Sequence, residues 1–434
     1  MEQLLVKNIG TLIADTRRKP CLCGEEMSHL EQEKNAWLLI EEGRFKDWGT
    51  ADDAPTLAPD CCVVDASGGL VLPSFCDSHT HLVYAESRED EFVDKIQGLS
   101  YAEIARRGGG ILNSADRLHE LSEDELFERS MVRIDEIIHK GTGAVEIKSG
   151  YGLNTEDELK MLRVIRRIKE TAPLKVVSTF LGAHAVGRAY TGRQTEYVDL
   201  IIKEMIPEVG RQQLADFIDV FCDEGFFTPD ETARMLEAGA RWGMRPKIHG
   251  QELADSGGVE VAVAHGALSV DHLESMTDRD IELLQAQHPT PTIPLDQRSL
   301  AKQEHPTPTI PTALPGTSFF LNMPFAPARK MIEAGLPLAI ASDYNPGSTP
   351  SGDMKFVVSL ACIKMRLLPA EALNAATLNS AAAMGLSLDY GSIAKGKVAN
   401  FFITSPMKSV SYLPYAYTSP VVERVFLRGE EYAQ

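Results

Sequence analysis

No apolar run in the 434 residues approaches the length that spans a bilayer. The first thirteen residues contain Glu2 and Lys7 and lack a continuous apolar core, so no secretory leader is expected. Cysteine is sparse and odd in number: seven in all, at 21, 23, 61, 62, 76, 222 and 362. In a chain this long, that argues against a disulfide framework and for a reducing, cytoplasmic setting. Cys21-Leu22-Cys23 could join Cys61-Cys62 in a metal site, but the two pairs lack ribbon-like spacing. Basic charge is also short, with 43 Lys and Arg against 62 Asp and Glu, a net −19. With no basic patch to offset that acidity, a nucleic-acid partner is not expected, and without a spanning apolar run neither is a membrane.

What the chain does have is alternation. From about residue 70, apolar strand-like runs alternate with amphipathic helical stretches. Strands are expected at 70–75, 144–147, 176–181, 217–221, 246–249, 269–271, 309–314 and 336–341. Three helix starts are readable, because Ser122 with Glu125, Thr155 with Glu158 and Thr228 with Glu231 each match a capping box. The last adds Pro229 at the first helical position. Eight strands alternating with helices form the pattern of an α/β protein, a (β/α)8 TIM barrel. An open doubly wound sheet would gather its chemistry at one switch point, whereas here reactive residues close many strands. The barrel is expected over residues 68–397. Residues 1–67 and 398–434 carry short β-like runs, neither end holds a core alone, and both should combine into one small β-sandwich-like domain. One repeat stands out: residues 288–294 recur word for word as 305–311, which reads as a duplicated connector rather than a solenoid.

The chemistry collects at the expected strand ends. The first strand runs into Asp77-Ser78-His79-Thr80-His81, and alternation along a strand turns both imidazoles to one face. The fifth ends His249-Gly250-Gln251-Glu252, the sixth Asp271-His272, and the eighth reaches Asp343-Tyr344-Asn345-Pro346-Gly347-Ser348. Each histidine alone is open to a structural reading. Together, His79, His81, His249 and Asp343 give three nitrogen ligands and one oxygen ligand on one barrel face. That set suits a single catalytic zinc or iron ion, which lowers the pKa of bound water to about 7. The carboxyl of Glu252, three residues after His249, could reach such a water.

These residues resemble the amidohydrolase superfamily, through Pro73-Ser74-Phe75-Cys76-Asp77-Ser78-His79-Thr80-His81, the later His249 and Asp343. Within it, Glu86-Ser87-Arg88, residues 108–111, Lys148-Ser149-Gly150-Tyr151-Gly152, Gly182-Ala183-His184, residues 249–252 and residues 342–347 are similar to the imidazolonepropionases. The likeness runs over nearly the whole chain. Ser74 stands where the family has glycine, and the duplication is a larger departure. The resemblance implies a hydrolase that opens the cyclic amide of 4-imidazolone-5-propanoate to N-formimidoyl-L-glutamate in L-histidine degradation. It also implies one zinc or iron ion per chain and a homodimer. Binuclear relatives carry a carboxylated lysine on the fourth strand, and residues 217–222 contain no lysine.

Roles follow as expectations. Glu252 takes a proton from the attacking water and returns it to the leaving ring nitrogen. His272, with Asp343, orients the water and stabilises the oxyanion. Arg88 clamps the propionate through its planar guanidinium. Tyr151 and His184 hydrogen-bond the propionate or ring, and Asn345, Gly347 and Ser348 line the remaining wall. Without the resemblance, Arg88 also reads as a solvated surface group and Tyr151 as a turn residue. Two other functions compete. One is an aminohydrolase (deaminase) of the same superfamily acting on a nitrogen heterocycle, for which a carboxylate clamp has no obvious use. The other is a noncatalytic barrel, against which the complete ligand set and Glu252 both speak.

Overall fold

The computed structural model describes residues 3–53, 55, 57–99, 103, 109–287 and 308–433. Two sheets organise them. The first has eight strands from both ends of the chain. Its long opening strand, Gln3–Ala14, pairs antiparallel with Glu31–Glu41, which pairs in turn with Arg44–Thr50. On its other edge the opening strand meets Cys62–Asp65 and then Leu70–Pro73, both parallel. Phe401–Thr404 joins Leu70–Pro73 and leads to Val422–Leu427 and Glu430–Tyr432. The sheet has its own apolar cluster, including Leu4, Ile9, Leu38, Val71, Phe401 and Phe426, drawn from both termini.

The second sheet is the barrel. Its parallel strands run in the order Phe75–Asp77, Thr142–Lys148, Lys175–Ala183, Phe217–Cys222, Ile248–Gly250, Ser269–His272, Ile310–Ala313 and Ala339–Ile340. A parallel bridge between Thr80 and Tyr344 joins the two ends of that order just past the first and eighth strands. Seven of the eight expected strands lie where the apolar runs put them. The first divides: Leu70–Pro73 belongs to the terminal sheet, Ser74 donates its N–H to Asn400 O at 3.1 Å, and Phe75–Asp77 opens the barrel. A continuous apolar run cannot reveal that change, because both segments are buried.

Two of the three capping boxes form as expected, at Ser122 and Thr228. At the third, Asn154 is the cap, its side chain accepting from Asp157 N, while Thr155 begins the helix Thr155–Thr171. The freed Glu158 carboxyl turns back instead and takes up loop N–H groups beside the barrel mouth, described below. The seventh strand begins at Ile310, inside the second copy of the repeat. The first copy and residues 295–307 lie outside the described residues.

Candidate active site

Barrel closure sets the expected ligands side by side. Asp343 N donates to His79 O at 3.0 Å, and His81 N donates to Tyr344 O at 2.9 Å, so the ends of strands one and eight are tied where their side chains face the mouth. His81 Nε2 lies 3.2 Å from His79 Nε2 and 3.3 Å from His249 Nε2. Asp343 Oδ1 stands 3.6 Å from the Nε2 atoms of both His79 and His81. Its other oxygen is held by Thr317 Oγ1, donating at 2.5 Å, and by Ser348 Oγ at 3.1 Å, which leaves Oδ1 for the cluster.

The outer nitrogens decide what the inner ones can do. His79 Nδ1 is 2.7 Å from Asp271 Oδ2, and His249 Nδ1 is 2.9 Å from Asp219 Oδ2. A carboxylate needs a donor, so in His79 the proton sits on Nδ1 and the Nε2 lone pair points inward, and the close Asp219 carboxylate favours the same tautomer in His249. Lone pairs brought this close repel unless a cation lies among them. Donors on a tetrahedral ion with bonds of about 2.0–2.1 Å sit about 3.3 Å apart, and His81 Nε2 stands 3.2 and 3.3 Å from the other two. The three imidazoles therefore fit one zinc- or iron-type ion, and Asp343 stands ready as an oxygen donor. Among the described residues, they are the one group of three or more His, Cys, Asp or Glu side chains so gathered. Burial holds His79 and His81 well below the ordinary imidazole range, which keeps them neutral.

Beside the trio lie the groups expected to handle protons. The His272 ring is 5.2 Å from that of His249, and its Nδ1 stands 3.6 Å from Glu252 Oε2 and 3.7 Å from Glu274 Oε2. Burial, reinforced by Glu274, Asp343 and Asp223, pushes the Glu252 carboxyl well above its usual range. Glu274, buried and receiving Ser318 Oγ at 2.8 Å, is pushed up to about 8, chiefly by burial. Asp223 fixes the Glu252 turn by accepting N–H groups from Glu252, Leu253 and Ala254 at 2.8, 3.0 and 3.2 Å. His272 and Leu273 both adopt positive φ, 86° and 72°, a strained pair that brings His272 and Glu274 to the same side.

The expected substrate groups ring the same mouth. The His184 ring stacks on His81 at 5.0 Å and 15°, and its Nδ1 donates to Gly150 O at 3.0 Å. The Tyr151 ring is 5.9 Å from His81 and 5.3 Å from His184. Its loop is pinned by Glu158, whose carboxyl accepts from Gly150 N at 3.2 Å, Gly152 N at 2.7 Å and Leu153 N at 3.1 Å. Arg88 is a buried side chain laid against Gly347, so closely that a Cβ there would fall 1.2 Å from Nη2. Its Nε is buried without a partner. Asn345 Oδ1 accepts from Gly347 N and Ser348 N, both at 2.8 Å, and so shapes the wall.

All the site residues expected from sequence therefore converge on one mouth. Sequence reasoning gave Asp219, Asp271, Asp223, Glu274, Thr317 and Ser318 no role, and it cast Glu158 as a helix cap. Asp271 carried a signal, standing beside His272 at a strand end; the others are acidic or hydroxyl residues indistinguishable from helix caps and strand polar positions. His119 is exposed and pairs with Asp157 at 2.7 Å, in keeping with a structural part.

The chain matches the Amidohydrolase family model over residues 70–431. It is 49% identical over 427 residues to an imidazolonepropionase of Flavobacterium johnsoniae, covering 98% of this chain and 99% of that one. It is 50% identical over 429 residues to an imidazolonepropionase of Christiangramia forsetii, again with 98% and 99% covered. The chain belongs to the imidazolonepropionase family of amidohydrolases. Among solved structures it resembles a guanine deaminase of E. coli, with a TM-score of 0.73, 15% identity, and 100% and 99% of the two chains covered. At that identity the likeness speaks for the family's fold, a barrel with a terminal sheet, and for nothing finer.

Proposed function

We propose that the chain hydrolyses the cyclic amide of 4-imidazolone-5-propanoate to N-formimidoyl-L-glutamate, in L-histidine degradation. The observation that carries this reading is a buried guanidinium, Arg88 on Gly347, at the same mouth as a three-imidazole cluster. The first suits a carboxylate and the second suits a metal, and this substrate has need of both.

His79, His81, His249 and Asp343 would hold one zinc or iron ion. When bound, such an ion supplies Lewis acidity for the amide carbonyl and acidifies water near neutral pH. Glu252 takes the proton from the attacking water and delivers it to the ring nitrogen as the C–N bond breaks. A carboxyl whose pKa burial has raised is well suited to hold a proton between those steps. His272 and Asp343 orient the water and favour charge growing on the carbonyl oxygen. Arg88 holds the propionate, with Tyr151 and His184 on the propionate or ring and Asn345, Gly347 and Ser348 as the wall. A homodimer in the cytoplasm accompanies this reading. No helix among the described residues is long and apolar enough to cross a membrane.

The test is to offer metal-loaded protein the imidazolone propionate, generated in place from urocanate, and to identify the product by mass. A ring-opened product one water heavier than the substrate is expected. Inactivity there, with ammonia released from a purine, pyrimidine or triazine, would overturn the assignment.

A further inference from the structure

Behind the imidazoles lies a layer of charge that the reaction above does not use. Glu146, Lys148, Asp219, Lys247 and Asp271 come from four regions of the barrel, and their side chains are all wholly buried. Glu146 and Lys148 sit two apart on one strand and so share its inner face. Lys148 Nζ is 2.6 Å from Glu146 Oε1, 2.7 Å from Asp219 Oδ2 and 3.6 Å from Asp271 Oδ2. Lys247 pairs with Glu146, donates to Ser78 O at 3.1 Å and stands 4.0 Å from Asp271. Burial alone would disfavour the Lys148 ammonium, but Asp219, Glu146 and Asp271 hold its pKa above the ordinary lysine value.

The oxygens that face Lys148 are the ones that orient the ligands. Asp219 Oδ2 touches both Lys148 Nζ and His249 Nδ1, while its Oδ1 accepts from His249 N at 3.0 Å. Asp271 Oδ2 touches His79 Nδ1 at 2.7 Å and faces the same ammonium. One buried cation thus stands between the two carboxylates that set the tautomer and direction of two ligands on different strands. Without it, three carboxylates would share a closed space with one lysine and repel one another.

We propose that Lys148 is a positioning residue that couples Asp219 to Asp271, so that His249 and His79 are aimed as one unit before a metal arrives. This rests on the metal-site reading above. If Lys148 only filled the barrel with a structural ion pair, its loss would weaken the fold and leave the ligands independent of each other.

The experiment compares zinc affinity, by competition with a colorimetric chelator, and the rise in Tm on adding zinc to the metal-free protein. Asp219→Asn, Asp271→Asn and their combination are made in the natural background and again with Lys148→Met. Lys148→Met is expected to weaken zinc about 10–100-fold, as loss of an outer partner does, and to shrink the zinc-induced rise in Tm. With Lys148 present, the double Asn variant should lose less affinity than the product of the two single losses, because the first change already breaks the unit. In the Lys148→Met background the two losses should simply multiply. Equal Tm losses in metal-free and zinc-loaded protein, with zinc affinity unchanged in Lys148→Met, would overturn the proposal. Should Lys148→Met fail to fold, the two near-isosteric Asn changes decide alone: losses that multiply overturn it, and a shortfall supports it. A natural protein that retains neither zinc nor iron would overturn this proposal and the metal reading together, whereas a tight natural site indifferent to Lys148 sinks this one alone.

Discussion

At the scale of single residues, the proposed roles separate proton transfer from substrate holding, and substitutions should separate them too. Glu252→Gln keeps the shape and the backbone contacts to Asp223, but it cannot accept a proton. We expect kcat to fall roughly 10²–10⁴-fold with the metal still bound, measured by steady-state kinetics beside metal analysis. Retained kcat would move the proton transfer elsewhere, with Glu274 the nearest buried carboxyl to His272 after Glu252. Arg88 is a different case. If its guanidinium holds the propionate alike in ground and transition states, Arg88→Ala raises KM and leaves kcat nearly unchanged. Gly347→Ala makes the same prediction without touching the arginine, because the new methyl would occupy the space of Nη2. A Gly347→Ala enzyme with unaltered KM would show that the guanidinium position does not matter to binding.

At the scale of elements, the loops are held by carboxyls whose job sequence patterns misread. Thr155 to Glu158 has the spacing of a capping box, yet Asn154 caps the helix and Glu158 gathers three N–H groups of the Tyr151 loop. Glu158→Gln puts an amide NH2 against at least one of those donors. That should cost about 2 kcal/mol in urea unfolding, in line with one buried donor left unpaired. It should also raise KM as Tyr151 shifts. A stability loss with KM untouched would detach this loop from substrate binding. The expected ligands were legible in the sequence because alternation turns His79 and His81 to one face and because His249 and Asp343 close apolar strand-like runs. Asp219 and Asp271 were not, because a carboxylate inside a barrel strand takes its meaning from a neighbour on another strand. The split at Ser74 stayed hidden for a similar reason: Leu70–Pro73 and Phe75–Asp77 are equally buried, and only their pairing partners differ.

At the scale of the whole molecule, the duplicated segment enters the barrel at one end while the expected chemistry sits at the other. The expected ligands stand at the C-terminal ends of their strands, whereas the duplicated segment precedes the N-terminal end of the seventh. The flanks of that segment meet: Gln287, the last residue of the helix Asp278–Gln287, accepts Thr309 N through its side-chain oxygen at 3.2 Å. A chain that leaves and returns to one place can be shortened cheaply, since loop closure changes by only about 0.6 kcal/mol per doubling of length. Deleting residues 295–311 joins Pro294 to Thr312, and Ile293-Pro294 then replaces Ile310-Pro311 in an identical local sequence. Thr292 takes the place of Thr309 against Gln287. We expect the shortened chain to fold, to load its metal, and to keep kcat/KM within roughly tenfold of the parent, about 1.4 kcal/mol. The decisive comparison is metal content against turnover in the same preparation. A soluble, metal-loaded deletion variant without turnover would place the duplicated segment at the active site, because folding and ligand geometry would both have survived its loss.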